Sequence, residues 1–198
     1  MSKIPAPEIT DARDRILRAA EKLFARKGYA ATSVHEITNA AEVNRALLYY
    51  YFEDKHALYM ALIDEGVAHF RQMLKRALAS PGSYSDRLAA FVRGHLELIR
   101  TRPDHARMVH RCLLDRHQEE FGLVEKFQAN VQVIEAFFRE AVEAGEFDVD
   151  RPELAARTLL GPTFVYSLWR VYEGDRFTPE ELERHVTSLL LRGWQRHD

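Results

Sequence analysis

The sequence has little of what marks disulfide-rich, membrane-spanning or secreted proteins. Its 198 residues include a single cysteine, Cys112, so no disulfide can form within the chain, and this usage suits a reducing compartment. No apolar stretch approaches the ~20 residues that a helix needs to cross a bilayer. The first fifteen residues are polar and lack the apolar segment of a signal peptide. We therefore expect a cytoplasmic protein without a membrane partner.

An excess of basic charge is absent as well. The chain has 28 Lys and Arg residues against 30 Asp and Glu, which gives a net charge of −2. Residues 1–60 are also close to neutral, with nine basic and eight acidic residues. Overall charge therefore argues weakly against a nucleic-acid partner. Any DNA-binding surface has to arise from the placement of a few cations.

Helical patterns fill almost the whole chain. Residues 11–27 carry apolar side chains at the i, i+3, i+4, i+7 spacing of an amphipathic helix, and Gly28 follows as a common helix end. The Ser-Pro-Gly-Ser segment at 80–83 is the clearest break. No alternating strand pattern and no internal repeat is present, so we expect an all-α fold. The predicted helices cover residues 11–27, 33–41, 45–52, 54–79, 84–101, 103–115, 123–144, 152–172 and 179–196.

Capping signals mark several helix starts. Ser33 and Glu36 match a capping box, in which a hydroxyl oxygen and a carboxylate accept hydrogen bonds from free amides of the first turn. Segments 150–153 and 178–181 each combine a capping residue, a proline at the first helical position and a glutamate at the third. Gly161-Pro162 should bend the eighth predicted helix, because proline lacks an amide hydrogen and clashes with the preceding turn.

Residues 32–52 carry the strongest functional signal. Two short helices joined by about three residues have the arrangement of a helix-turn-helix. The apolar set that would pack this pair on the first helix is Ile37, Ala40, Ala41, Val43, Leu48 and Phe52. The outer side of the third helix would then carry Asn44, Arg45, Ala46, Leu47, Tyr49 and Tyr50.

A DNA major groove suits this outer side. An exposed leucine beside two tyrosines is unfavourable unless something covers it. In the groove, arginine donates to guanine, leucine or alanine contacts a thymine methyl, and tyrosine hydroxyls reach phosphate. The alternative is that the aromatic residues belong to the core, as we expect for Tyr51. The complete pattern favours DNA binding.

The same stretch resembles the N-terminal domain of TetR-family transcription regulators, from about residue 16 to residue 62. The matching features are Phe24 with Gly28-Tyr29, Thr32-Ser33-Val34, Ile37, Ala41-x-Val43, and Leu48-Tyr49-x-Tyr51-Phe52 followed by Lys55-x-x-Leu58. The length and the number of predicted helices also match the family, whereas the C-terminal half matches in architecture only. The resemblance implies a DNA-binding domain over residues 1–55 and a ligand-sensing and dimerisation domain over 56–198.

The resemblance also implies roles for single residues. Base contacts from the third helix would come from Arg45, Ala46, Leu47 and Tyr49. Phosphate or flanking contacts would come from Thr32, Ser33, His35, Asn44, Tyr50 and Lys55. Lys55 would add its charge to the positive end of the fourth helix, which suits a phosphate. Two residues depart from the family: Glu42 stands where glycine is frequent, which strains the turn, and Leu47 stands where threonine is frequent.

The apolar faces of the fifth to eighth predicted helices suggest an effector site. The resemblance places a ligand cavity among these helices, and such cavities are mostly apolar with a few polar groups. His95, Cys112 and His110 are the candidate polar groups. The candidate ligand-binding residues are Phe91, His95, Leu98, Met108, Cys112, Phe127, Val131, Ile134, Phe164 and Leu168. The alternative for each of them is an ordinary core position.

The last two helices carry apolar stripes that suit pairing of two chains. In the family, these helices from two subunits form a four-helix interface, which implies a homodimer here. The candidate dimerisation residues are Leu182, Val186, Leu189, Leu190 and Trp194. The alternative is a bundle within one chain.

The resulting hypothesis is a repressor that binds a palindromic double-stranded DNA operator as a homodimer. A small hydrophobic or aromatic effector would release it, and no cofactor is expected. An enzyme has little support, because the nine histidines include no His-x-x-x-His pair that would suggest a metal site, and Cys112 has no evident base. A helical protein-interaction module is a further alternative, which the near-neutral N-terminal region supports. Activation instead of repression also stays open.

Overall fold

The computed structural model describes residues 6–114, 122–174 and 176–194. These residues form nine α-helices and no strand, which confirms the predicted all-α fold. The helices are α1 (Ala6–Lys27), α2 (Val34–Ala40), α3 (Arg45–Tyr51), α4 (Lys55–Leu78), α5 (Tyr84–Thr101), α6 (Pro103–Leu114), α7 (Leu123–Glu143), α8 (Pro152–Glu173) and α9 (Pro179–Trp194). The helix ends predicted at Asp115 and Arg196 lie outside the described residues.

Most of the predicted capping signals act as expected. The Ser33 hydroxyl accepts from the Glu36 amide, and the Glu36 carboxylate accepts from the Ser33 amide, so the capping box at α2 is confirmed. Thr178 and Glu181 form the same reciprocal pair before α9. The cap predicted at 150–153 is wrong in part: the N-cap of α8 is Arg151, which makes no side-chain cap bond. The helix begins at Pro152, so the capping position falls one residue after Asp150. The helix also continues through Pro162, and the expected bend stays a prediction.

Contacts between Cα atoms group the chain into two compact units. The first comprises the described residues of Met1–Gly66 and Asp104–Phe121, and therefore contains α1, α2, α3, the first half of α4 and nearly all of α6. The second comprises those of Val67–Pro103 and Gly122–Asp198, with the rest of α4 and helices α5, α7, α8 and α9. The sequence did not indicate that α6 groups with the helix-turn-helix.

Three aromatic rings join α1 to α4 in the first unit. The buried ring of Phe24 lies 4.9 Å from the Tyr59 ring in an edge-on arrangement, and Tyr29 lies 5.0 Å from Tyr59. The other large buried side chains here are Ile16, Ile37, Leu48, Leu58, Leu62 and Ile63. Because this core takes side chains from α1 to α4, helices α2 and α3 are held in place by close packing.

The second unit has a continuous apolar core. In it, α7 packs on α8 and α5 packs on α9. The centre of the Phe138 ring lies 6.0 Å from the ring centre of Phe147 and 4.9 Å from that of Trp194. The last helix is therefore part of this core. The fully buried members are Leu74, Leu88, Phe91, Val92, Ile134, Phe138, Ala141, Ala156, Leu159 and Val186.

Candidate nucleic-acid interface

The turn between α2 and α3 has one backbone position that is unusual for its residue. Glu42 has φ of 54°, and it is the one residue other than glycine with positive φ in the described ranges. The Val43 amide donates to the Thr38 carbonyl at 3.0 Å, which closes the turn. Asn44 then begins α3, where its side-chain oxygen accepts from the Leu47 amide at 2.8 Å. The strain expected at Glu42 is therefore present, because a left-handed conformation is costly for residues with a Cβ.

The inner side of this pair of helices is as predicted, with two exceptions. Four of the six expected apolar residues are buried: Ile37, Ala41, Leu48 and Phe52. Ala40 is exposed and Val43 is only half-buried, because the turn carries both of them toward solvent. Thr38 takes the remaining buried place, where its hydroxyl donates to the His35 carbonyl at 3.0 Å.

The outer side of α3 is free of intramolecular packing over most of its length. Tyr49 and Tyr50, in the last turn of α3, are 44% and 72% exposed. The Arg45 guanidinium lies 6.0 Å from the centre of the Tyr49 ring. The other outward residues are Asn44, Ala46 and the half-buried Leu47. The arrangement presents one cation, two hydroxyls and small apolar groups, a set that can contact base edges and phosphates together.

Two of the predicted phosphate contacts do not fit the structure. The side chain of Thr32 is buried, and its hydroxyl donates to the Gly28 carbonyl at 2.8 Å. The Thr32 hydroxyl is thus committed to a backbone carbonyl, and the structure does not support the predicted phosphate contact through it. The Ser33 hydroxyl is occupied in the cap of α2, where it bonds Glu36. Both residues act on the start of α2 instead.

The ammonium of Lys55 binds backbone carbonyls of its own chain and does not extend freely into solvent. Its Nζ donates to the carbonyls of Tyr29 and Thr32, at 2.9 and 3.0 Å, and lies 4.2 Å from the centre of the Tyr29 ring. Burial lowers the pKa of this ammonium. Two of its three hydrogens are committed, so Lys55 links α4 to the segment before α2, and a phosphate contact through the third hydrogen stays a prediction.

Three exposed residues near α3 complete the polar surface of the segment. His35 is exposed on α2, with its Nε2 at 3.4 Å from the Asn39 side-chain nitrogen. Arg13 of α1 lies over the Phe52 ring at 5.6 Å from its centre. The sequence pattern did not single out Asn39 or Arg13, since both fall on exposed helix faces without a distinctive spacing. Arg13 adds a cation next to the end of α3.

Lys27 and Glu36 form an ion pair beside this surface. Hydrogen bonding from Lys27, and then from the Ser33 backbone and side chain, lowers the pKa of Glu36 to about 2. Glu36 is therefore a fixed anion at neutral pH, and it neutralises Lys27. Arg45 and Arg13, which lie at α3, have no carboxylate partner among the described residues.

Family comparisons match both halves of the chain. Residues 16–62 match the model of bacterial regulatory proteins of the tetR family. Residues 81–194, more than half of the chain, match the model of the tetracyclin repressor-like C-terminal domain. The chain belongs to the TetR family. It is accordingly a transcription regulator with a DNA-binding helix-turn-helix, as predicted.

Individual TetR-family proteins show similarity over different shares of the chain. The transcriptional regulator AcuR of Cereibacter sphaeroides is 31% identical over 73% of this chain and 69% of its own. The transcriptional repressor NicS of Pseudomonas putida is 32% identical over 45% of this chain, and the match spans only 43% of NicS. The crystal structure of FadR from Bacillus subtilis in complex with stearoyl-CoA has a TM-score of 0.81, with 19% identity over 91% of this chain and 98% of that one. At that identity FadR shows the shared fold alone.

The predicted effector residues are divided between the two units. Met108 and Cys112 are buried in the first unit, together with His110. The remaining eight lie in the second unit: Phe91, His95, Leu98, Phe127, Val131, Ile134, Phe164 and Leu168. A groove of about 360 Å³ at the junction of α8 and α9 is lined by Tyr166, Trp169, Arg170, Glu173, Gly174, Arg176, Phe177 and Leu182. None of the predicted effector residues lines that groove.

The predicted dimerisation stripe on α9 faces mostly into its own chain. Leu182, Val186 and Leu190 are buried in the core of the second unit, and Trp194 packs on Phe138. The structure thus commits Leu182, Val186 and Leu190 to the core of their own chain, because the apolar stripe of an amphipathic helix marks the side that its own core buries. Trp194 is partly buried and Leu189 is 58% exposed, and a role for these two in pairing stays a prediction.

The surface of α8 carries the apolar residues that the sequence pattern did not reveal. Leu154, Val165, Trp169 and Tyr172 are large and exposed. At about 100° per residue, their positions fall within an arc of roughly 60° on one helix face. A Cβ added at Gly161, about 20° outside this arc, would meet no atom within 4 Å. The sequence of α8 has no dominant amphipathic pattern, and this could have indicated a second apolar face. A helix that is apolar on two sides needs two packing partners.

Two other kinds of site are absent from the part of the chain that the structure describes. No group of three His, Cys, Asp or Glu side chains is placed to hold a metal ion among those residues. Of the described helices, none combines the length and the apolar character that a membrane span requires.

Proposed function

We propose that this TetR-family regulator is a repressor that binds a palindromic operator as a homodimer and leaves it when a small apolar or aromatic effector binds. The observation that carries the proposal is the two-sided character of α3. Its inner side is buried through Leu48, while Arg45, Tyr49 and Tyr50 stay exposed on its outer side. Exposed aromatic residues beside a cation suit a major groove, where both kinds of group find partners.

Pairing of two chains would supply the second recognition helix. A two-fold dimer presents two copies of α3 to half-sites one helical turn apart, which is why such operators are palindromic. The exposed stripe on α8 and Leu189 on α9 supports pairing through these helices, because contiguous exposed apolar patches mark interaction surfaces. The first unit would contact DNA, and the second would pair and sense the effector.

The aromatic core of the second unit supports an apolar effector. The rings of Phe70, Phe91, His95 and Phe127 lie close together there, with the Phe70 and His95 centres 5.1 Å apart. FadR, which shares the fold, has been crystallised with stearoyl-CoA, a ligand with a long apolar part. Effector binding would favour an arrangement of the dimer that no longer fits the operator, and a coupling of ~1–3 kcal/mol changes occupancy 5- to 150-fold.

Operator binding by purified protein tests the proposal. Promoter DNA from the neighbourhood of the gene is titrated by fluorescence anisotropy at two or more salt concentrations. We expect tight, salt-dependent binding that Arg45→Ala and Tyr49→Ala each weaken about tenfold or more, since a good base contact contributes ~1–3 kcal/mol. Arg76→Ala, an exposed arginine at the end of α4, is the control and keeps the affinity. Unchanged affinity in both α3 variants contradicts the proposal.

A further inference from the structure

Asn130 is a polar residue inside the apolar second unit. It lies on α7, is 1% exposed, and shares a helix face with Phe127, Val131 and Ile134. Its Oδ1 accepts from the Arg71 Nε of α4 at 3.1 Å. Because an arginine only donates, this bond fixes which end of the amide faces Arg71. The Nδ2 of Asn130 therefore points elsewhere.

That second end of the amide has no acceptor among the described residues. Nδ2 is fully buried and forms no hydrogen bond in the part of the chain that the structure describes. Buried donors are paired in the great majority of cases, and leaving one unpaired destabilises the fold more than an apolar residue of the same size would. An acceptor that binds there would remove this defect.

Arg71 places a permanent positive charge beside the unpaired amide. The side chain is partly buried, and its Nε alone is used in the bond to Asn130. Among the described residues no carboxylate pairs with it, whereas Arg93, Arg100, Arg139 and Arg157 each pair with a glutamate. Its remaining guanidinium hydrogens suit an oxyanion, for which the planar group has two parallel donors.

Aromatic rings next to this polar pair would hold an apolar body. Phe70 precedes Arg71 on α4, and its ring centre lies 5.1 Å from His95 and 6.4 Å from Phe127. Phe127 is half-buried and stands one helical turn before Asn130. One end of a ligand would thus meet a cation and two amide hydrogens, and the rest of it would meet rings.

We infer that the effector of this regulator is an amphipathic carboxylate, with its carboxylate on Asn130 Nδ2 and Arg71 and its alkyl or aryl body on Phe70 and Phe127. The inference rests on the proposed function, and it names the chemical class of the effector. A neutral carbonyl would satisfy the amide of Asn130 alone. A carboxylate satisfies the amide and also compensates the charge of Arg71, so the two classes differ in their dependence on the arginine.

Matched pairs of probes test the class. Octanoate and 4-phenylbutyrate are compared with octanol and 4-phenylbutyramide, and octanoyl-CoA is included as a thioester, all with the full-length protein. Binding is followed by calorimetry and by the melting temperature, and release from promoter DNA by anisotropy. We expect at least one carboxylate to bind tenfold or more tightly than its neutral counterpart and to release the DNA. Binding of no carboxylate, or equal binding of the neutral compounds or the thioester, overturns the inference.

Substitutions separate a ligand site from a merely structural bond. Asn130→Asp keeps an acceptor for Arg71 but replaces the donor by a second anion, so carboxylate binding should fall a hundredfold or more. Arg71→Met should weaken the carboxylate at least tenfold and leave the neutral probe unchanged, and Arg76→Met on the same helix is the control. The double variant Arg71→Met/Asn130→Leu removes the unpaired amide together with its hydrogen-bond partner, so the ligand-free melting temperature should hold or rise. A folded Asn130→Asp protein that still binds the carboxylate overturns the assignment, as does a lower melting temperature of the double variant.

Failure of the inference and failure of the proposed function give different results. A wild-type protein that binds its promoter but answers to no carboxylate contradicts only the effector class. A protein that binds a carboxylate through Arg71 but has no affinity for promoter DNA contradicts the repressor function and supports the site.

Discussion

The imidazole of His105 on α6 lies directly on the backbone of Gly66 on α4. A Cβ at residue 66 would be 1.8 Å from His105 Nε2, far closer than two atoms can approach. The other ring nitrogen, Nδ1, lies 2.8 Å from the Glu21 carboxylate on α1. One side chain of α6 thus contacts both α1 and α4 within the first unit. The absence of a side chain at residue 66 is what permits this packing.

Gly66→Ala should therefore destabilise the protein despite the higher helix propensity of alanine. Overpacking costs about 1–3 kcal/mol, against a gain of about 1 kcal/mol from propensity. The free energy of unfolding in urea measures the net loss. In a His105→Ala background the ring is gone, so the same Gly66→Ala change should stabilise by up to about 1 kcal/mol. If Gly66→Ala changes the free energy of unfolding in the same direction in both backgrounds, the His105 ring does not restrict residue 66.

Glu42 combines a strained backbone with an acidic charge close to the outer side of α3. Glu42→Gln removes the charge alone, and we expect operator affinity to rise roughly two- to fivefold, with a smaller gain at high salt. Glu42→Gly removes the strain as well and should add about 0.5–1 kcal/mol of stability. Anisotropy measures the first effect and urea unfolding the second. If Glu42→Gln raises the stability and leaves operator affinity unchanged, the charge of Glu42 does not oppose DNA binding and the prediction fails.

Trp169 lies between Val165 and Tyr172 in the exposed stripe on α8 and is 50% exposed. Trp169→Glu should convert the proposed homodimer to a monomer, because a charge in an apolar interface is left without a partner. Analytical ultracentrifugation measures the mass. Val142→Glu places the same charge on an exposed valine of α7 and serves as the control. Dimers that persist in Trp169→Glu would exclude the α8 stripe as the interface.

Burial lowers the pKa of His110 to about 4 from its ordinary 6.5. Between these values the unfolded chain binds a proton that the folded chain does not, so stability falls as the pH falls from 6.5 to 4. The contribution of this residue is on the order of 3 kcal/mol or less. In His110→Leu, unfolding free energies measured at pH 7 and pH 4.5 should differ less than in the wild type. His35→Leu, at an exposed histidine, should leave the difference as it is.

The helices and the recognition segment could be predicted because each follows from local patterns. Apolar spacing, capping pairs and the helix end at Gly28 each depend on residues that are close in sequence. The two sides of α3 could also be told apart, since Leu48 is buried and Tyr50 is exposed as predicted. The position of α6 was not predictable in this way. Its contact with α1 depends on His105 and Glu21, which are 84 residues apart in sequence and carry no pattern that relates them.

The sequence also could not show which of two possible polar partners a side chain binds. Lys55 and Thr32 have the residue types that bind phosphate, and the structure commits both to backbone carbonyls. The α9 stripe shows the same limit for apolar residues, since spacing identifies a buried face without telling which chain buries it. Leu189 and Trp169 are recognised only once exposure is known.

The lysine at the start of α4 has a mechanical consequence within the first unit. Because its ammonium binds the carbonyls of residues 29 and 32, the segment that enters α2 is held to the first turn of α4 by two hydrogen bonds in addition to the covalent chain. A displacement of that turn should therefore shift the segment with it, whereas a loop without such bonds would absorb the movement.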